Sequence, residues 1–145
     1  MYNCILDEFT HMIWEQRIEE LKFMLPDEDI DYNDVDRLGK TLLLQAIECV
    51  EFYEENGVLK PQKRWLDFIR WLLEQGADPK LPENNTPIEY TLECESDTSA
   101  QRHCVCDMTD ILLLLKKHGA DTSEYEEYIS GDVQDRLDYK WDKKR

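Results

Sequence analysis

Two stretches of this chain repeat one another in order, and that self-similarity restricts the available folds more than any other feature. Gly39-Lys40-Thr41-Leu42-Leu43 returns as Asn84-Asn85-Thr86-Pro87-Ile88, and Leu72-Leu73-Glu74-Gln75-Gly76-Ala77-Asp78 returns as Leu115-Lys116-Lys117-His118-Gly119-Ala120-Asp121. Between each opening and its closing run the apolar residues step by three and four, the spacing of one helical face. Thr41 can cap a helix carrying Leu42, Leu43, Ala46, Ile47, Val50 and Phe52, with Gly57 ending it. Pro61 suits the first turn of a second helix, whose apolar side is Trp65, Phe68, Ile69, Leu72 and Leu73, and Gly76 stands just past its end. Thr86-Pro87 opens a third helix with Ile88, Tyr90, Thr91 and Leu92, and Ile111 to Leu115 belong to a fourth closed by Gly119. Two helices and a glycine stop make the unit.

Ahead of these units, Phe9, Met12, Ile13, Ile18, Leu21, Met24 and Leu25 keep the helical period until Pro26 ends it. The stretch from Asp27 to Gly39 is rich in Asp and Asn, whose side chains bond to nearby backbone, so it reads as a hairpin-like loop. After Asp121 the opening motif does not return. Ser123-Glu124-Tyr125-Glu126 has capping-box spacing there, and Val133, Leu137, Tyr139 and Trp141 supply a last helix to cover the stack. The expectation is an all-α fold: a helical repeat solenoid with elongated helix pairs, short hairpin loops and helical caps, in one domain over 1–145. Residues 1–30 would be an N-terminal helical pair, a degenerate repeat in which Asp29-Ile30-Asp31 takes the closing position; 31–80 and 81–121 are the repeats and 122–145 the C-terminal cap. Leu43, Ala46, Ile69, Leu72, Ile88, Ile111, Leu112 and Leu115 are the expected core, and a chain that is 41% hydrophobic has the apolar residues to build one.

Gln75-Gly76-Ala77-Asp78 and His118-Gly119-Ala120-Asp121, with the openings at Thr41-Leu42-Leu43 and Thr86-Pro87-Ile88, resemble the ankyrin repeat. That resemblance covers roughly residues 18 to 121 and implies antiparallel helix pairs joined by hairpin loops, acting as a protein-binding surface. Thr41 and Ala77 lie 36 residues apart and Thr86 and Ala120 lie 34 apart, whereas a repeat of about 33 residues would place those landmarks about 22 apart. Each unit is therefore stretched between its helices, through 51–64 and 93–108, and longer helices or protruding loops are expected there. The family's His after Thr-Pro-Leu is replaced by Leu44 and Glu89, and its Gly-His turn between helices is missing.

Acidic residues outnumber basic ones by 33 to 17, leaving a formal net charge of −16, which repels nucleic acid phosphates and anionic membranes and suits a basic protein partner. No apolar run approaches a membrane span of about 18 residues, since Ile111 to Leu115 stops at Lys116-Lys117. The first residues lack the basic and apolar regions of a secretory signal, and five cysteines in a chain able to form a core read as reduced thiols, so a cytoplasmic location is expected.

The densest reactive-looking cluster is Cys94, His103, Cys104, Cys106 and His118. Cys-x-Cys lacks the spacing of zinc sites, and neighbours such as His103 and Cys104 do not face each other on a helix, so packing cysteines are favoured over a metal site or a thiol enzyme. Cys49 and Cys94 occupy equivalent positions in the two units, as small packing residues would. The glycines at 39, 57, 76, 119 and 131 are dispersed, which excludes a phosphate-binding loop. No cofactor is expected.

The resemblance to ankyrin repeats places hairpin tips and the exposed side of the first helix on a concave binding face, where three acidic clusters would gather. Asp34, Asp36, Glu48, Glu51, Glu55 and Glu93 are the residues expected to pair with a partner's Lys and Arg, with Tyr32 and Tyr53 as aromatic anchors. Glu48, Glu51 and Glu55 step by three and four and are expected on one helical stripe. In size and charge the chain is similar to bacterial immunity proteins, which implies a non-enzymatic inhibitor that caps the cationic cleft of a toxin such as a nuclease. A generic scaffold or host-directed effector, whose acidity serves solubility, is the alternative within binding proteins; a zinc-dependent or thiol enzyme is the alternative of another class. The oligomeric state is not legible.

Overall fold

The computed structural model describes residues 4–93, 105–121 and 123. Helix α1 (Cys4–Trp14) and α2 (Ile18–Met24) form a first pair, followed by a single 3-10 turn at Leu25–Asp27 around Pro26. Next come α3 (Leu42–Cys49), strands β1 (Phe52–Glu55) and β2 (Val58–Pro61), and α4 (Lys63–Glu74). Helix α5 spans 87–93, strand β3 is Val105–Cys106, and α6 is Thr109–Lys117. Helix α1 packs on α2 and α3, while α4 packs on α2, α3 and α6, so successive pairs lie side by side in two layers.

The repeated motifs perform the same bonding in each unit. Thr41 Oγ1 accepts the Leu44 N–H at 3.1 Å, and Thr86 Oγ1 accepts the Glu89 N–H at 3.3 Å, satisfying donors that the first turn of a helix leaves open. At the closing motif the Ala77 N–H returns to the Leu72 carbonyl at 3.1 Å, as Ala120 does to Leu115 at 2.9 Å. Gly76 makes this reversal with φ of 111°, a conformation that a side chain resists. Asp78 and Asp121 each accept the N–H two residues on through Oδ1, and Asp31 does the same ahead of the first repeat. These turns also join neighbouring loops, since Asn33 donates to the Gly76 carbonyl and accepts the Asp78 N–H.

The all-α expectation is wrong. Between α3 and α4 the chain folds as an antiparallel hairpin, and β3, from the segment between α5 and α6, pairs with it in parallel to complete a three-stranded sheet of order β1-β2-β3. Between α3 and α4 the stretched segment is thus a hairpin rather than a longer helix, and the described end of the second stretched segment, Val105–Cys106, joins its sheet. Its cause is local. Asn56 and Gly57 take φ of 54° and 80°, the two left-handed residues of a type I′ turn, which matches the twist of the flanking strands. Gly57 is therefore a hairpin residue and not the end of a helix, α3 closes at Cys49, and Pro61 ends β2 instead of starting α4. Conversely, the loop from 28 to 41 contains turns but no strand, so the hairpin lies within a unit and not between units. Gly57→Ala is expected to cost roughly 1–2 kcal/mol, because a Cβ is disfavoured at this φ although it meets no neighbouring atom; a urea midpoint equal to that of the unchanged protein contradicts the turn assignment.

The eight residues expected in the core are all buried. Trp65, Phe68, Ile69 and Leu72 of α4 centre a continuous core that α1, α2, α3 and α6 share, and half-buried Tyr32, Phe52, Trp71 and Tyr90 pack against it. No helix among the described residues is long and apolar enough to cross a membrane. The proposed cap beyond Ser123 lies outside the described residues.

Candidate functional site: an acidic hairpin

Seven of the eight residues expected at a partner surface divide into two groups at opposite ends of α3, a helix of about 12 Å at 1.5 Å per residue. Tyr32, Asp34 and Asp36 belong to the loop before it, whereas Glu48, Glu51, Tyr53 and Glu55 follow from its last turn into the hairpin. Glu93 is exposed at the last described residue of α5.

Several of them are occupied by the fold itself. Asp36 is only 2% exposed. Its Oδ1 accepts the N–H groups of Leu38 and Lys40 at 2.8 and 3.1 Å, and its Oδ2 accepts the Thr10 hydroxyl of α1 at 3.1 Å. It organises the loop and fixes it to the first helix pair, a role that Asp7 supports by accepting the Arg37 N–H. Tyr32 is half-buried with its ring edge-on to Trp71, and burial raises its phenol above the usual tyrosine range. Asp34 alone of this group is exposed.

At the other end, Glu48 pairs with Lys40 at 2.6 Å and is largely covered. Glu51 accepts from Arg64 Nη1 and from the indole N–H of Trp65, each at 3.0 Å, so it too serves the interior. Arg64 sits over the Trp65 ring and also bonds Glu19 and the Gln16 carbonyl, tying α4 to the turn between α1 and α2. The hydrogen bond from Arg64 holds the Glu19 carboxyl below its ordinary range. The expected helical stripe of Glu48, Glu51 and Glu55 does not exist, because α3 stops at Cys49, Glu51 lies in the link to β1, and Glu55 ends that strand.

Of the eight, Asp34, Glu93, Tyr53 and Glu55 remain exposed, the last two together on the hairpin. Tyr53 is 44% exposed, and Glu54 and Glu55 are exposed without any ion pair in the described structure. Alternation along β1 puts Tyr53 and Glu55 on one face and Phe52 and Glu54 on the other, and Phe52 meets the core. Glu54 belongs to the same acidic cluster in sequence but falls outside the residues expected to pair with a partner, because a helix through Phe52 turns it off the Glu48, Glu51 and Glu55 stripe; the Asn-Gly pair was the signal that could have found it.

Among the described residues neither the metal nor the thiol alternative has a site. Cys94, His103 and Cys104 lie outside the described residues, Cys106 is buried, and His118 is half-buried. Among the described residues no three His, Cys, Asp or Glu side chains group to hold a metal ion. Cys49 is half-buried, accepts a bond from Gln45, and has its thiol pushed up by burial, away from nucleophilic thiolate character. Two open depressions, of about 260 and 280 Å³, flank the loop after α4 and the α4–α6 contact. Their rims mix Lys80 with Glu83, Glu89 and Asp121, and Arg70 and Lys117 with Asp110, and neither is lined by a Cys, Ser or His.

No protein-family model, curated protein or solved structure matches this chain.

Proposed function

We propose that the chain is a non-catalytic protein-binding module that captures a basic protein on its acidic hairpin, acting in the cytoplasm as an inhibitor of a basic toxin such as a nuclease. The observation that carries this reading is the set Tyr53, Glu54 and Glu55: an aromatic ring and two carboxylates exposed in succession on β1 beside the hairpin turn, whose side chains make no hydrogen bond or ion pair among the described residues. Such a pairing suits a desolvated aromatic contact ringed by charge, and a net charge of −16 draws cationic partners from a distance. A nuclease is apt as partner because its phosphate-binding cleft is cationic, and an anionic surface placed there blocks it electrostatically and sterically. The Cys49 thiol is free, in keeping with a reducing compartment.

The test is kinetic. With the partner recovered from the producing cell, association is expected to slow as salt rises, and the double substitution Glu54→Lys with Glu55→Lys is expected to slow it about tenfold at low salt without altering the fold. Tyr53→Ala should act chiefly on dissociation. Equal association rates for the doubly reversed and unchanged proteins at low salt reject this reading and leave the acidity as a solubility device.

A further inference from the structure

The outer edge of β1 presents backbone groups that β2 does not take up. The Gln62 N–H donates to the Glu51 carbonyl at 2.8 Å, which marks 51 and 62 as a hydrogen-bonded pair. In an antiparallel ladder such pairs alternate, so Tyr53 with Lys60 and Glu55 with Val58 are bonded, whereas Phe52 and Glu54 turn their N–H and C=O groups away from β2. Pro61 stands opposite Phe52, where its missing N–H takes no bond from β1. The Phe52 carbonyl is occupied by the Gln62 side chain at 3.3 Å. The Phe52 N–H and both backbone groups of Glu54 remain, on the strand that ends the sheet, and no other strand of the described residues covers them.

Resting on the proposed capture of a basic protein, we infer that β1 receives an extended, Lys- or Arg-bearing segment of that partner as a fourth strand, with Glu54 as the residue that exchanges both backbone bonds. Charge selects this occupant over a second copy of the chain. Antiparallel pairing of β1 with itself would gather Glu54 and Glu55 of both copies within a few residues, and directly opposed like charges destabilise a ladder. A basic residue opposite Glu54 meets its carboxylate on one face, and its neighbour in the incoming strand meets Glu55 on the other. Edge strands that carry charge are protected against indiscriminate pairing, and the same charge makes this edge selective for the opposite sign.

The probe is a synthetic peptide of about eight residues, the Val-Lys-Lys-Val sequence repeated, long enough to span the edge. Binding is expected to slow hydrogen exchange of the Glu54 amide at least about tenfold. The same peptide with alternate backbone nitrogens methylated, which keeps its charge and removes its strand bonds, should give no protection. Glu54→Pro, which deletes the outward N–H at a position not bonded to β2, should abolish binding, whereas Glu54→Gln should weaken it and keep the protection. The methylated peptide supplies the same contrast on unaltered protein if the proline variant is misfolded. Equal binding of methylated and plain peptides overturns the added strand while leaving charge-based capture standing. Absence of any Glu54 protection by the plain peptide likewise overturns it, and capture is judged separately by the salt-dependent rates. Concentration-dependent self-association of the unchanged protein that Glu54→Pro removes overturns the basic occupant in favour of a second copy.

Discussion

Truncating Trp65 to alanine is expected to cost about 4–5 kcal/mol, the upper range for deleting a buried aromatic side chain. Trp65 is fully buried in α4, edge-on to Phe68, and beneath the guanidinium of Arg64. Its removal leaves a cavity shared by several helices and also takes one donor from Glu51, which is left with Arg64. With a domain stability of about 5–15 kcal/mol to begin with, the variant stands near the edge of folding. Trp65→Phe keeps most of the volume and loses chiefly the indole N–H, so its cost should be about 1–2 kcal/mol. Urea unfolding of both variants separates cavity from hydrogen bond; equal losses for Phe and Ala would show that Glu51 and not packing governs the site.

Asp36→Ala should lower stability by about 3 kcal/mol, more than any surface carboxylate could. The substitution leaves the Leu38 and Lys40 N–H groups and the Thr10 hydroxyl without the buried carboxylate that accepts from all three. Asp36→Asn retains an acceptor for the two backbone groups and presents an NH₂ that can donate to Thr10, so roughly half of the loss should return. The denaturant midpoint should fall at nearly constant slope, since the compactness of the unfolded chain does not change. A shift of less than about 0.5 kcal/mol for the alanine variant would mean that the loop does not depend on this carboxylate.

The contrast between Asp36 and Glu54 shows how much of the site was legible. Both are acidic residues in polar stretches, and sequence pattern alone gives the first a pairing role at a partner surface and leaves the second as one more charge in a cluster. Whether a carboxylate faces solvent or organises its own loop depends on which N–H groups lie within 3 Å of it, and the Thr10 contact arrives from 26 residues away. Composition does not encode that. The helix caps were legible because their bonding is local: Thr41 reaches Leu44, and the Gly76 reversal closes within one turn. Where the same reversal uses a different residue the signal vanishes. At the end of α1, Gln16 takes φ of 66° and the Arg17 N–H returns to Met12, so the break between α1 and α2 carries no glycine to announce it. In the hairpin the opposite error occurred, as Val50, Phe52 and Gly57 fitted a helical ending while Asn56-Gly57 encoded a strand reversal.

The parallel pairing of Val58 and Leu59 with Val105 and Cys106 binds material from one unit to material from the next. In an array whose members touch only through helix flanks, each inter-helix segment can lengthen or shorten independently of its neighbours. Here it cannot. A residue added to the 51–64 segment between Gly57 and Pro61 shifts the register of β2, moves Leu59 away from the Asp107 N–H that its carbonyl accepts at 2.8 Å, and turns inward side chains outward. The two insertions are thus joined mechanically where β2 meets β3, and a change of register in β2 is tolerated only when β3 follows.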